Sequence, residues 1–397
     1  MKIGILTFHR PANFGANLQA YSSMCYLRAL GYEVKVIDYV RSGDVGYRNS
    51  VDAKQFEAHK IFVEKRLTLT KQATTSEELC QVVEEEGFDA IVVGADAVWR
   101  SPNDSNIYFG EWLFDNLRLA NIPVASISPA HMGNGFLSVS ENEREAIHKC
   151  LMKFKYITVR DIWTKEVINR DLFKGEEFVK IINPDPVFTM CRNIEGEVWD
   201  GRGRKEKGYY LMSLPTNWSN GGRFVSKKKK WFDDFKAHVH RAGYELVELP
   251  IPEGKSGMPF DYIVDYPIDP IQWFLWIKNA KAFCGLRFHA IVSSISNGTP
   301  FYSIDSYGDN SRISKILDII GLHKMARRRD NSSKIYNLLK GSVFEEYRSD
   351  TLIEFVSAKK IFNMLESTKV TDIIKFRDIN LSVFDKNLTE LLNAISK

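Results

Sequence analysis

The residues best suited to chemistry stand in the segment GLRFHA, Gly285 to Ala290. Arg287 and His289 lie two residues apart, with Phe288 between them, just after the short apolar run Ala282 to Cys284. A guanidinium binds carboxylate or phosphate bidentately and stays charged, while an imidazole titrates near neutrality. The pair therefore offers an anion anchor beside an acid or base. A second reading uses the same residues structurally, as an arginine at a domain seam and a half-buried histidine. Two residues are a short motif, and spacing alone does not separate the readings.

The elements that must position this pair follow from the flanking sequence. Ala282 to Cys284 reads as a buried strand and Gly285 as a tight turn. The next apolar stretch has helical length and stops at Asn297-Gly298, and Thr299-Pro300 turns the chain into a strand over Phe301 to Ile304. Strand, helix and strand in this order form a βαβ crossover, which implies a parallel sheet. Arg287 and His289 then fall at a helix N-terminus, where free N–H groups and the helix dipole favour an anion.

The first half of the chain repeats this grammar. Lys2 to Thr7 is a strand that runs into the polar loop FHRPANFGAN, followed by a helix over Ala16 to Leu30 and a strand over Glu33 to Asp38. Ligands of open parallel sheets sit at the carboxyl ends of the strands, so Asn13, Asn17 and Gln19 are candidates for binding. The loop is neither GxGxxG nor a P-loop, which argues against a dinucleotide. Further strands over Phe88 to Val93, Ile122 to Ser128, Tyr156 to Val159 and Phe178 to Ile182 lead into Asp96, the loop Pro129 to Gly133, Arg160-Asp161 and Asn183-Pro184-Asp185-Pro186. Asp96 reads equally as a loop-ordering carboxylate or a catalytic one. Arg160 reads as a partner for a nearby carboxylate or as a second fixed cation. The prolines around Asp185 stiffen its turn. Helices are expected over Val51 to Leu67, over Glu77 to Glu86 with Ser76 as cap, and over 140 to 154.

Apolar periodicity breaks between Met190 and Lys207, where Gly, Arg, Lys and Glu dominate. This places one domain at 1–195 and a second at 206–330, with a helical tail at 331–397. The second domain is expected to hold strands over Tyr209 to Leu214 and Tyr244 to Leu249. Its helices are expected over Lys230 to Ala242, Asp269 to Asn279 and Ser311 to Ile320. Tail helices are expected over Ser349 to Leu365 and Leu388 to Ile395, packing outside or crossing back to the first domain. The expected architecture is α/β, two Rossmann-like domains facing across a cleft with parallel sheets.

Composition bounds the function. At 397 residues, 44% hydrophobic and 26% charged, the chain has the make-up of a globular protein with room for two domains. Its five cysteines are scattered without metal-ligand spacing, which points to a reducing compartment and no bound metal. The N-terminus lacks a signal-peptide core, and no apolar run reaches the roughly 18 residues of a membrane span. A cytoplasmic location is expected. A net charge of +4 is too mild to indicate nucleic acid. Lys227 to Lys230 and Arg327 to Arg329 are local basic clusters, read either as solvated faces or as contacts with an anionic membrane surface, at the inner face of the membrane, or with a phosphorylated carrier.

Taken in order, NFGANLQA (13–20), VVGADAVW (92–99), VASISPA (124–130), VRD (159–161), NPDPVF (183–188), GLRFHA (285–290) and NGTPF (297–301) resemble the polysaccharide pyruvyl transferase family. The resemblance implies a GT-B-type pair of domains. It also implies transfer of a pyruvyl group from phosphoenolpyruvate to sugar hydroxyls, forming a ketal on an exopolysaccharide of the bacterial cell surface or on its lipid-linked precursor. No cofactor is implied beyond the donor substrate. By resemblance His289 is the general acid, with Asp96 as base or acceptor-orienting group. Arg287, Arg160, Phe288 and Asp185 fall on the donor side, and Asn13, Asn17 and Gln19 on the acceptor side. The chain departs from the family's common form at Ala95 and Ala97, where Ser and Gln are usual, at Pro129-Ala130, where Phe-Gly is usual, and at Asp161, where Glu is common. Two other expectations stand beside this one: a GT-B glycosyltransferase using a nucleotide sugar, and a non-catalytic saccharide-binding relative.

Overall fold

The computed structural model of the chain describes all residues except 41–49, 101–105, 133–134, 221–223, 305–333, 350–352 and 397. The expected helix over Ser311 to Ile320 and the cluster Arg327 to Arg329 lie outside the described residues. The chain divides into two compact units built from discontinuous segments. One comprises Met1–Asn49, His59–Thr189 and Asn380–Lys397, the other Ser50–Ala58 and Met190–Ile379.

The first unit is organised on a parallel sheet of β1 (Lys2–Leu6), β2 (Glu33–Val36), β3 (Ala90–Val93), β4 (Val124–Ser126), β5 (Tyr156–Val159) and β6 (Ile181–Ile182). The order across the sheet is β2-β1-β3-β4-β5-β6, with Ile3 opposite Val34 on one side and Ala90 on the other. Every residue of β3, AIVV, is buried, because a central parallel strand is covered on both faces and must be apolar on both. Helices α1 (Phe14–Ala29), α2 (Ala53–Arg66), α3 (Ser76–Glu86), α4 (Glu141–Leu151) and α5 (Ile162–Leu172) lie between the strands in sequence. Sequential order reverses at β1 and β3, so the loops after these two strands flank a topological switch point. Gly94 leaves β3 with φ 107°, and a Cβ there would collide with the Ile127 carbonyl oxygen, so only glycine lets the loops after β3 and β4 approach.

The second unit carries a parallel sheet of β7 (Tyr209–Ser213), β8 (Glu245–Glu248), β9 (Tyr262–Ile263), β10 (Ala282–Gly285) and β11 (Phe301–Ser303), ordered β11-β10-β7-β8-β9. Its helices include α6 (Val225–Arg241), α7 (Pro270–Lys278), α8 (Phe288–Asn297) and α9 (Ala358–Ser367). One face of the sheet packs Tyr210, Met212 and Cys284 against Phe232, Phe235 and Val239 of α6 and Ile361 and Leu365 of α9. Asp269 caps α7, accepting from Ile271 N at 2.7 Å, and Pro270 occupies the first turn.

The long helix α10 (Val370–Ile395) closes the described chain. Its last turns dock on the first unit through Asp385, which accepts from Tyr26 Oη at 2.8 Å, and Glu390, which accepts from Tyr156 Oη at 2.7 Å. The α/β class, the parallel sheets and the helical C-terminal segment agree with the sequence.

Several local expectations are corrected. Ser76 is the first residue of α3 and Thr75 is its cap, because Thr75 keeps an extended φ of −125° and accepts from Glu78 N at 3.2 Å. Helix α6 begins at Val225, five residues before Lys230, because Lys228 turns its stem into the core and extends the buried stripe. The strand expected from Phe178 shrinks to Ile181–Ile182. The helix expected from Ser349 starts only at Ala358, where Ser357 caps it by accepting from Lys360 N at 3.2 Å.

Candidate functional site

In the first unit the loop after β1 is held by the amides that the sequence offered as ligands. Asn13 caps α1, its Oδ1 accepting from Gly15 N at 2.9 Å and Ala16 N at 3.2 Å. Asn17 is fully buried and donates to the His9 carbonyl at 2.7 Å, while its Oδ1 meets Nδ1 of buried His59. Burial alone pulls the His59 pKa down to about 3, so the ring is neutral and Nδ1–H is the donor. Gln19 is also fully buried. It donates to Thr7 Oγ1 at 2.9 Å and the Phe8 carbonyl at 2.7 Å, and it accepts from Ala95 N at 3.1 Å. Gln19 thus ties the loops after β1 and β3 together across the switch point. Asn17 and Gln19 spend their amides on the protein and order the loop; they present no surface to an acceptor.

The loops after β3, β5 and β6 bring Asp96, Arg160 and Asp185 together. Arg160 Nη1 lies 2.8 Å from Asp185 Oδ2 and 3.6 Å from Asp96 Oδ1. The Arg160 and Asp185 side chains are 2% and 0% exposed, whereas Asp96 retains 15%. Burial opposes the charge on Arg160, but Asp185, Asp96 and Asp161 outweigh it and push its pKa up. Asp96 has φ 66° and its Oδ1 accepts from Ala97 N at 2.8 Å, so backbone and side chain are both fixed. Asp185 Oδ1 accepts from Val187 N at 3.0 Å, and Asp161 caps α5 by accepting from Thr164 N at 2.7 Å. Arg160 is therefore a counter-ion inside an acidic cluster: one guanidinium among three carboxylates, of which Asp96 is the most exposed of those it pairs with.

A further cluster at the ends of β1 and β2 was not anticipated. Asp38 accepts from Arg10 Nε at 2.8 Å and pairs with His9 Nε2 at 2.9 Å, while His9 Nδ1 faces the Thr7 carbonyl at 3.0 Å. Burial raises the Asp38 pKa, but hydrogen bonds from Arg10 and His9 outweigh it and hold the carboxyl at about 2. The signal was in FHRPAN and in the Asp that ends EVKVID; pairing them requires knowing that β1 and β2 are neighbours.

In the second unit β10 ends at Gly285, whose added Cβ would lie 2.7 Å from the Ser213 carbonyl oxygen of β7. Arg287 follows with φ 83° and occupies the cap position of α8, a conformation that non-glycine residues adopt at a cost. Its Nη2 lies 2.6 Å from Glu253 Oε1, and the two side chains are 28% and 24% exposed. Phe288 and His289 open α8 half-buried, ring edge to ring face with centroids 5.2 Å apart. Glu253 stands on the loop after β8, which is firmly held. Fully buried Glu248 accepts from Ser256 N at 2.6 Å, and the Lys255 and Ser256 carbonyls accept from Asn217 N and Ser219 N, each at 3.0 Å. The second unit thus offers a partly exposed cation, already bound to a carboxylate, beside an imidazole. Among the described residues no group of three or more His, Cys, Asp or Glu could hold a metal ion.

Parallel sheets with charged residues on their strand ends, in each of two units, define a protein of the α/β class. The family is given by the sequence. A family model described as "Polysaccharide pyruvyl transferase" matches residues 13–307, and the chain belongs to that family. No curated protein matches the chain. Among solved structures the chain is similar to the UDP-GlcNAc 2-epimerase of Methanocaldococcus jannaschii, with 13% identity, TM-score 0.45, and 93% of this chain and 94% of that one covered. It is similar to the Neisseria meningitidis UDP-GlcNAc 2-epimerase at 10% identity and TM-score 0.48, covering 97% and 100%. A glycosyltransferase from Streptomyces nogalater gives 10% identity and TM-score 0.48, covering 99% of each chain.

Proposed function

We propose that this protein transfers the pyruvyl group of phosphoenolpyruvate to two hydroxyls of a saccharide acceptor, forming a cyclic ketal and releasing phosphate. The observation that carries this reading is the Arg287–Glu253 pair at 2.6 Å beside His289. Arg287 Nη2 already pairs with one carboxylate, that of Glu253, which supports reading it as the anchor for a donor carboxylate.

In this reading Arg287 anchors the donor, Phe288 walls its apolar methylene, and His289 delivers a proton to that methylene carbon. The adjacent carbon becomes an oxocarbenium centre, which the first sugar hydroxyl attacks, returning its proton to His289. The second hydroxyl then attacks the same carbon, the bond to the phosphate oxygen breaks, and phosphate leaves with the second proton. Asp96, steadied by Arg160, orients an acceptor hydroxyl or receives its proton, and Asp185 holds Arg160 in place. The resemblance put Arg160 and Asp185 on the donor side, but three carboxylates around one guanidinium suit hydroxyl groups better than a second anion. Arg160 and Asp185 are therefore positioning residues, and Asn13, Asn17 and Gln19 shape the acceptor-side loop from within.

The test is phosphate release from phosphoenolpyruvate over a panel of saccharide acceptors, with calorimetric titration of phosphoenolpyruvate and of UDP- and GDP-sugars in parallel. The expected result is acceptor-dependent phosphate release, lost by about a hundredfold or more in His289→Ala, and binding of phosphoenolpyruvate in preference to the nucleotide sugars. Full turnover in His289→Ala removes that residue from the mechanism. Tight binding of a nucleotide sugar without binding of phosphoenolpyruvate overturns the reading.

A further inference from the structure

The start of α6 carries a surface that neither the packing of the second unit nor the proposed transfer uses. Phe224, Val225 and Phe355 are 38%, 40% and 51% exposed. The Phe224 and Phe355 rings pack edge to face with centroids 5.1 Å apart, so the exposed groups form one patch. Phe224 holds φ 68°, an unfavourable backbone for a bulky residue. Lys227 Nζ lies 4.5 Å from the Phe355 centroid and 5.4 Å from that of Phe224. Lys229 and Lys230 are exposed on the same turn, while Lys228 points inward over Trp218.

The charges around the patch are mixed but basic on balance. No acidic residue stands in the first turn of α6, although acidic groups stabilise that end of a helix and lysines oppose its dipole. Lys359 and Lys360 are exposed at the start of α9, which packs along α6. Against this stand Asp233 and Asp234 one turn along α6, and Glu354 beside Phe355.

We infer that this patch docks the protein on an anionic membrane surface, with Phe224, Val225 and Phe355 entering the headgroup boundary and Lys227, Lys229 and Lys230 meeting lipid phosphates. Two exposed rings fenced by lysines match that occupant. Lysines attract anionic headgroups, and aromatic rings settle at the level where apolar and wet regions meet. A soluble polyanion would use the lysines and leave the rings idle. A protein interface would be depleted in lysine at its centre. This inference is independent of the donor and of the transfer reaction.

The experiment is co-sedimentation of the full chain with phosphatidylglycerol–phosphatidylcholine vesicles and with pure phosphatidylcholine vesicles, at low and high salt. The expected result is binding to the anionic vesicles alone. Lys227→Gln/Lys229→Gln/Lys230→Gln should weaken it about a hundredfold, at roughly fivefold per lysine. Phe224→Ser/Phe355→Ser should weaken it at both salt concentrations, and both variants should keep the parent's circular dichroism and Tm. Failure of the parent to bind anionic vesicles, or unchanged partition of the lysine variant, overturns the inference. Loss with the lysine variant but parent-like partition of the phenylalanine variant also overturns it, and makes the patch a site for a soluble polyanion.

Discussion

Replacing Glu253 with glutamine should tighten the binding of phosphoenolpyruvate. The Glu253 carboxylate sits 2.6 Å from Arg287 Nη2, and in the proposed reaction the donor anion must first displace it. With side chains 28% and 24% exposed, the pair is screened by water and worth roughly 0.2–1 kcal/mol. Glutamine keeps the shape of the loop and removes both the competing charge and its repulsion of the donor. The Kd for phosphoenolpyruvate should therefore fall by up to about fivefold, since 1.4 kcal/mol corresponds to tenfold. Arg287→Ala should raise the Kd by about ten- to a hundredfold, because hydrogen bonds to charged groups contribute roughly 1.5–3 kcal/mol. The decisive comparison is the double variant: without Arg287, the Glu253→Gln substitution should have no further effect on the donor. Calorimetric titration reads all four proteins without needing the acceptor. An unchanged or higher Kd in Glu253→Gln would show that Glu253 orients Arg287 instead of competing for it. A gain that persists in the Arg287→Ala background would refute the pairing argument altogether.

Asp38→Asn should destabilise the first unit by roughly 2 kcal/mol at neutral pH, the worth of holding a carboxyl at about 2 against a reference of 3.8. Because the folded pKa is the lower one, that stability is present above about pH 4 and is lost as pH falls towards 2, so wild type and variant should converge in acid denaturation followed by circular dichroism. Glu248→Gln should act with the opposite sign. Burial raises the Glu248 pKa, so its contribution is full in acid and declines as pH rises through the folded pKa. Calorimetric Tm should be higher for the variant than for wild type at pH 8 and equal to it near pH 4. Gln19→Ala removes the amide that bridges the loops after β1 and β3 and leaves Ala95 N–H without its acceptor. A loss of about 2–4 kcal/mol in urea unfolding is expected.

The βαβ order and both parallel sheets were readable because apolar runs of strand length alternate with helical periods, as β3 and α8 do. The segments that return to the other unit were not readable. Residues 50–58 and 380–397 carry an ordinary amphipathic pattern, and which core they join is settled by packing. Arg160, Arg287 and His289 were found at strand ends by residue type alone. What the sequence could not supply was their partners. Asp185 lies 25 residues from Arg160, and Glu253 lies 34 residues from Arg287 on a loop with no motif of its own. The polar loop Asn13 to Gln19 was legible as special but assigned outward; its amides turn inward because the loops after β1 and β3 carry backbone groups that need partners where water cannot reach.

The partners change what each unit can bind. A cation read from sequence counts as an anion site only if its neighbours leave it a surplus. Around Arg160 the balance is one guanidinium against Asp185, Asp96 and Asp161, and the guanidinium is sealed from solvent. Arg287 pairs with Glu253 on side chains that water reaches, so in the proposed reaction a donor carrying two or more negative charges can compete for it. The second unit's arginine suits the anionic donor, and the first unit's acidic cluster suits hydroxyl groups, whose protons need a carboxylate. In the proposed reaction that division gives Asp96 to the acceptor and Arg287 to the donor. Under that proposal a pyruvyl transfer, with a donor bearing two anionic groups and a neutral polyol acceptor, uses these residues without asking both arginines to hold the same anion.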